Sequence, residues 1–569
     1  MSGSLMRSLK QTAAGFSRRD FFKTGSLLAL PAFLGGKRVS AAPATTTTTT
    51  AAPEAPAVVG ALEIGPNIYK SVGVRPFINC TGTLTVNGGS LELPIVQTAQ
   101  AEASKHMVQL DELMHAVGAR LGELTGAEFG IVTSGCAAAI THATSACLAG
   151  GNPEIHIHLP NMEGMAKSEV IIPKAARNNY DAAIRGTGVK IIEPRSAAEL
   201  EAAINPKTAM IYIRSEVPNG PPTNAETYRI AKAHNIPVLI DAAPEILTFP
   251  NVHLQAGATM VVYSGGKQIR GPQCSGMLLG RKDLVRAAWV HSAPHHGFSR
   301  NMKVGKEEVI GLLAAVEAWV AGNYTYKVRW QEMIDRMNAI KARVETVPGV
   351  TAAVRIPADT VLSNRSPSVT VNWDPATNGI TGQEVARMVD TTEPRILLSG
   401  GGGGGRGGRG GAAAGAAAGA APAAASTSVS ITAFNMGPGE DKIVADRLHE
   451  ILSAKHTPAI VVAAKPPAGD ITGEWDVTIQ YEASVGTHNL TIKQAGAAIS
   501  GTHKGEFLTR PISGTVNGDA VSLRSNVPEN QIGNGLSYNF TGTLANGQMS
   551  GDLDMGEYMK AKWTAKKKA

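Results

Sequence analysis

The chain has 569 residues, too many for one compact domain, and an apolar fraction of 43% excludes a disordered chain. The net charge of +7 is spread out, with part of it in the terminal run Lys566 to Lys568, so no nucleic acid partner is expected. Four cysteines (Cys80, Cys136, Cys147, Cys274) show neither CxxC spacing nor clustering with histidine, which argues against a disulfide framework and a metal site and for buried free thiols.

In chain order, the first signal is Ser17-Arg-Arg-Asp-Phe-Phe-Lys23, which matches the twin-arginine export pattern. The apolar stretch Gly25 to Leu34 that follows is too short to span a bilayer and contains Pro31. Ser40-Ala-Ala-Pro-Ala then offers small-residue cleavage positions near Ala42. Residues 1–42 therefore read as a signal for the twin-arginine export machinery, with a periplasmic or secreted location expected, and residues 43–60 as a disordered Thr/Ala/Pro spacer.

From about Gly60 to Pro250, helical patterns alternate with short apolar runs. Glu102 to Thr125 reads as one or two amphipathic helices, Phe129-Gly-Ile-Val-Thr as a strand, and Cys136 to Leu148 as a small-residue helix. Val189-Lys-Ile-Ile-Glu and Ala209-Met-Ile-Tyr-Ile are strands, and Thr223 to His234 is a helix. Such alternation predicts a mostly parallel α/β sheet. Lys306 to Glu345 reads as a long helical region leading from a large domain, 61–345, to a smaller α/β domain, 346–462. The small domain is interrupted by a Gly/Ala-rich insertion, 400–427, whose composition cannot bury a core. From 470 to 569 the pattern changes to alternating strands such as Trp475-Asp-Val-Thr-Ile-Gln-Tyr, with hairpin signals at Asn517-Gly and Asn546-Gly. An all-β meander or barrel is expected there, with a lipocalin-like look and no clustered catalytic residue types.

The chemistry-bearing residues lie at strand ends. Val261-Val-Tyr-Ser-Gly-Gly-Lys267 places a lysine on a loop just past an apolar strand, where α/β sheets hold their ligands. Ile236-Pro-Val-Leu-Ile-Asp241 is a second apolar strand, ending in a carboxylate 267 − 241 = 26 residues earlier. A strand-end Asp followed by a strand-end Lys is what a pyridoxal 5′-phosphate site needs. The amine forms a Schiff base, and the carboxylate keeps the pyridine nitrogen protonated. Thr133-Ser134-Gly135-Cys136-Ala137 opens a helix directly after a strand, so its backbone N–H groups are placed for the cofactor phosphate. Ser264 is a further phosphate donor by position.

Phe77-Ile-Asn-Cys-Thr-Gly-Thr, Thr133-Ser-Gly-Cys-Ala-Ala-Ala, Asp241-Ala-Ala, Tyr263-Ser-Gly-Gly-Lys-Gln-Ile-Arg-Gly-Pro-Gln and Arg300-Asn-Met-Lys-Val-Gly-Lys-Glu-Glu resemble fold-type-I pyridoxal-phosphate enzymes of the selenocysteine synthase superfamily. Within it, the ammonia lyase branch that acts on D-glucosaminate 6-phosphate is the most similar. The resemblance runs from about Ile68 to Leu452. It implies an aspartate-aminotransferase-like large domain, Lys267 as the Schiff-base lysine and Asp241 as its pyridinium partner. It also implies Arg300 and Lys303 near an anionic group, a small-molecule amino substrate, and a homo-oligomer of at least two chains. Two departures set this chain apart from the selenium transferases. A signal and spacer stand where they carry a tRNA-binding domain, and Thr85-Val-Asn-Gly-Gly-Ser90 lacks the basic residue they show there.

The expectation is an exported lyase that releases ammonia from an amino acid or amino sugar acid by β-elimination. The alternatives are a selenium-transferase-like β-replacement enzyme and a non-catalytic binding protein on the same fold.

Overall fold

The structure is a computed structural model that describes residues 61–215, 220–322, 326–400, 427–457, 465–525 and 536–568. The export signal, the spacer and most of the Gly/Ala-rich insertion fall outside the described residues. Residues up to Val74 form a separate unit, not part of the large domain as expected. Its described part holds the one-turn helix Ile68–Ser71, whose last hydroxyl donates to the Ile68 carbonyl at 2.7 Å.

Beyond Arg75 the chain builds three hydrophobic cores. Strand β1 (Ile78–Asn79) comes first. A seven-stranded sheet follows, from β2 (Phe129–Thr133), β3 (Glu169–Ile171), β4 (Lys190–Ile192), β5 (Thr208–Arg214), β6 (Val238–Asp241), β7 (Met260–Ser264) and β8 (Gly276–Gly280). Its order is β2-β8-β7-β6-β5-β3-β4. Strands β3 to β7 pair in parallel, and β8 runs antiparallel between β2 and β7. The central strands are mostly apolar and buried along nearly their whole length, as expected of a parallel sheet covered on both faces. The helix Cys136–Ala149 is apolar on nearly every face and buried throughout most of its length, so it lies inside this domain. Gly150, at φ 56, ends it in the left-handed conformation that glycine accepts without strain.

Of the one or two helices expected over Glu102 to Thr125, the chain forms two, Pro94–Ala103 and Leu110–Thr125. The first starts earlier because Pro94 suits a first helical turn. The region Lys306 to Glu345 also divides, into helices Lys306–Val320 and Tyr326–Val344. Their cores differ. Leu312, Val316 and Trp319 join the large-domain core, whereas Met333, Met337 and Val344 join the second one. The boundary between domains therefore falls between these helices and not at residue 345.

The second core is built on β9 (Thr351–Arg355), β10 (Ser368–Trp373), β11 (Ile396–Leu397), β12 (Ser399–Gly400) and β13 (Thr427–Thr432). The sheet order is β12-β13-β10-β9. Gly400 and Thr427, expected inside the insertion, are strand residues instead, and Gly400 pairs with Val429. Strand β1 pairs in parallel with β11, and Ile78 and Cys80 are buried in this second core. The start of the chain's second unit thus belongs to the small domain.

The C-terminal region is a closed antiparallel barrel of β14 (Gly473–Gln480), β15 (Val485–Ala495), β16 (Ala498–Lys504), β17 (Thr509–Asn517), β18 (Ala520–Ser525), β19 (Tyr538–Ala545), β20 (Gln548–Asp554) and β21 (Lys560–Lys567). Strand β21 closes onto β14. Inward residues alternate with outward ones, and eight strands leave an interior that side chains can fill. Asn546 and Gly547, at φ 50 and φ 73, form a two-residue turn of the expected kind. At the other hairpin signal, Asn517 is the last paired residue and the turn is Gly518-Asp519.

Candidate active site

The carboxyl ends of β2, β6 and β7 lie on one edge of the large sheet. There Gly276, the first residue of β8, pairs with Thr133 on one side and Ser264 on the other. This register brings together three sequence segments that carry the candidate residues.

The lysine loop is folded back on itself. The Gly265 N–H donates to the Ser275 carbonyl at 2.9 Å, and the Gly271 N–H donates to the Gly265 carbonyl at 2.8 Å. A Cβ at Gly265 would stand 1.9 Å from Ser275 Oγ, which is why the motif needs glycine there. Arg270 adopts φ 57, and its Nε donates to the Leu91 carbonyl at 2.7 Å. Trp319 Nε1 donates to the Ile269 carbonyl at 3.0 Å. On this fixed loop Lys267 is half-buried, with Nζ 5.7 Å from the centre of the Tyr180 ring.

Asp241 is buried at the end of β6. Its Oδ2 accepts from the Tyr212 hydroxyl at 2.7 Å, and its Oδ1 accepts from the Ala243 N–H at 3.0 Å. The Cys136 thiol lies 3.8 Å from the same Oδ1. Burial and then Asp241 push this thiol's pKa well up, while Lys267 pulls it down, so both charged groups reach the first turn of the helix Cys136–Ala149. Burial first, then Asp241, also raises the Tyr212 phenol, which keeps its proton for the bond to Asp241.

The start of that helix is made for an anion. Gly135 is the N-cap at φ 141, and no side chain caps the helix. The first helical bond is donated by Ala139, to the Gly135 carbonyl at 3.0 Å, so the N–H groups of Cys136, Ala137 and Ala138 have no acceptor within the helix. The Ser134 hydroxyl donates to the Met302 carbonyl at 3.1 Å. This contact lays the 300–304 segment against the turn. Arg300 and Lys303, in this segment, are both exposed. Ser264, at the end of β7, is partly buried on the same sheet edge.

These residues fit pyridoxal phosphate. An uncapped helix N-terminus suits the phosphate, a buried carboxylate held by two donors suits the ring nitrogen, and a lysine on a fixed loop suits the aldehyde carbon. Two buried hydroxyls without a partner flank the site. Ser90, whose N–H donates to the Gly266 carbonyl at 2.9 Å, adjoins Lys267, and Ser215, whose N–H donates to the Asp241 carbonyl at 3.0 Å, adjoins the carboxylate. The small domain reaches the site through Asn435, whose Nδ2 donates to the carbonyls of Gly82 and Gly89 at 3.0 and 3.2 Å.

Sequence reasoning missed Tyr212, Ser90 and Asn435. Tyr212 left a trace, a polar-tipped ring amid the aliphatic middle of β5. Ser90 and Asn435 left none, because their roles come from packing between segments far apart in the chain.

The fold and this constellation define a pyridoxal-phosphate-dependent enzyme of the aspartate-aminotransferase fold type, and the comparisons agree. The family model described as aminotransferase class-V matches residues 96–298. D-Glucosaminate-6-phosphate ammonia lyase from Salmonella typhimurium is 35% identical over 272 residues, 46% of this chain and 72% of the relative. 5′-C-Glycyluridine monooxygenase-decarboxylase from Streptomyces sp is 31% identical over 299 residues, 50% of this chain and 72% of the relative. A solved structure of D-glucosaminate-6-phosphate ammonia-lyase superposes with a TM-score of 0.56 and 26% identity, over 68% of this chain and 99% of that one. The chain therefore belongs to the pyridoxal-phosphate enzyme family that includes D-glucosaminate-6-phosphate ammonia lyase.

Proposed function

We propose that this protein is an exported ammonia lyase that acts on an amino acid or amino sugar acid bearing a β-hydroxyl. The observation that carries this reading is the convergence of Lys267, Asp241 and the uncapped helix start, together with the similarity to an ammonia lyase. The net reaction balances without an oxidant. The substrate's α-hydrogen and β-hydroxyl leave, water returns, and a 2-oxo acid and ammonia are the products.

When bound, pyridoxal phosphate draws electrons from the substrate's α-carbon. The chain's own residues do the rest. The backbone N–H groups of Cys136 and Ala137 hold the phosphate, and Asp241, fixed by Tyr212 and Ala243, holds the ring nitrogen. Lys267 Nζ is the base placed to take the α-proton. Arg300 and Lys303, on the segment that Met302 lays against the helix start, would supply positive charge for an anionic substrate group. A pair of chains is the minimal assembly in this reading. The twin-arginine run at Ser17 to Lys23 supports export of the folded enzyme.

The test is ammonia release by the purified holoenzyme from a panel that includes D-glucosaminate 6-phosphate and β-hydroxy amino acids. Release that disappears in Lys267→Ala, along with the protein's visible absorption band, is the expected result. A holoenzyme that retains the band but yields carbon dioxide and no ammonia would replace the lyase reading with one nearer the Streptomyces relative. For export, a chain with Arg18→Lys and Arg19→Lys should remain in the cytoplasm. Its arrival outside would sink that part of the reading.

A further inference from the structure

The barrel carries a buried cation that the chemistry above does not use. On five consecutive strands, an inward position near one end is polar instead of apolar: His488 on β15, His503 on β16, Arg510 on β17, Ser525 on β18 and Tyr538 on β19. His503 pairs directly with Arg510, and Ser525 with Tyr538. The imidazoles are linked, His488 Nδ1 to His503 Nε2 at 2.8 Å, and His503 Nδ1 meets Ser525 Oγ at 2.9 Å. The Arg510 guanidinium lies 5.3 Å from the centre of the Tyr538 ring.

Arg510 is only 5% exposed, and its Nε has no partner. A buried charge ordinarily needs a counter-charge, because leaving water costs more than packing returns. Among the described residues, no carboxylate forms an ion pair with Arg510. Burial lowers the pKa of both histidines, His503 to about 3, so near neutral pH they carry no charge. Glu506, on the turn between β16 and β17, is exposed and acts on both His488 and Tyr481, as Arg510 does, and among the described residues no ion pair joins it to Arg510. Among the described residues, Arg510 is thus a buried guanidinium with no paired carboxylate.

The surroundings limit what could balance it. Trp475, Leu490, Phe540 and Trp563 fill the barrel beyond the polar layer, so a long chain has no room inside. The same end is rimmed by exposed apolar side chains: Val485, Phe507, Tyr558 and Met559, with Phe507 92% exposed. Val485 opens β15, Phe507 lies between β16 and β17, and Tyr558 and Met559 lie between β20 and β21, the end where His503, Arg510 and Tyr538 also lie. We propose that this end of the barrel binds an amphiphilic carboxylate. Its single negative charge is seated on Arg510 and His503, and its apolar body lies against Phe507 and the rim. One guanidinium matches a monoanion, and a carboxylate can take two of its N–H groups at once.

The test is calorimetric titration of the full-length holoenzyme with octanoate, with acetate and 1-octanol as probes of head and tail alone. Octanoate should bind at least tenfold more tightly than either. Arg510→Gln should weaken octanoate at least tenfold and leave 1-octanol unchanged. Phe507→Ala, at an exposed position where folding is not at issue, should weaken octanoate several-fold and leave acetate unchanged. Equal binding of octanoate and 1-octanol, no octanoate binding, or unchanged octanoate binding in Phe507→Ala would each overturn the proposal. Ammonia release is unaffected in every case that supports it, so failure here is separable from failure of the lyase reading.

Discussion

Tyr212 acts on the site through another residue. Its hydroxyl donates to the buried Asp241 carboxylate, and its pKa is raised, so at any working pH it is a donor. Removing a hydrogen bond to a charged group costs about 1.5–3 kcal/mol, roughly tenfold to a hundredfold in rate. Tyr212→Phe should therefore lower kcat/KM by that factor, keep the fold, and shift the absorption of the bound cofactor. An unshifted spectrum with full activity would show that the Ala243 N–H alone is enough to hold Asp241. Asp241, which closes an apolar strand with a charge, and Lys267, just past the end of another, stand out in the sequence as candidates. Tyr212 was not singled out, since a tyrosine in a strand usually reports packing, and only the sheet register between β5 and β6 sets it beside Asp241.

At the scale of elements, the helix Cys136–Ala149 is positioned by a backbone contact. A Cβ at Gly276 would lie 2.3 Å from the Gly135 carbonyl carbon and 2.6 Å from the Cys136 nitrogen. Strand β8 cannot retreat, because it is paired on both sides. Gly276→Ala should displace the helix start and weaken cofactor retention at least tenfold, measured by dialysis against the visible band. Gly150→Ala, at the far end of the same helix, meets no neighbouring atom and costs only left-handed strain of roughly 1–2 kcal/mol. It should leave retention intact, and equal losses in both variants would mean that general destabilisation is the cause. The elements themselves were largely readable from periodicity and from the glycines that end them. What was not readable was the split of Lys306 to Glu345, because both helices are amphipathic in sequence and only the cores they join tell them apart.

At the scale of the molecule, all three hydrophobic cores or their borders carry polar groups, and buried histidines couple stability to pH. Burial lowers His142 to about 4 and His291 and His503 to about 3, from an ordinary value of 6.5. Below 6.5 an unfolded chain takes up protons that the folded sites refuse. Stability is therefore full above that pH and falls as pH drops toward the folded values. The urea midpoint should be lower at about pH 5 than at about pH 7.5, and an unchanged midpoint would sink the assignment of neutral buried rings. The change from α/β pattern to strict alternation near residue 470 announced the barrel. The membership of the small domain did not show in sequence order, because it takes in β1, some 270 residues before β9. That membership has a mechanical side. Residues 78–89 are fastened to the small domain by β11, by the Thr432 N–H on the Cys80 carbonyl and by Asn435, while Ser90, next in line, is bonded to the carbonyl beside Lys267. The segment is a connecting rod. Any rocking of the small domain would therefore pull on the loop that carries Lys267.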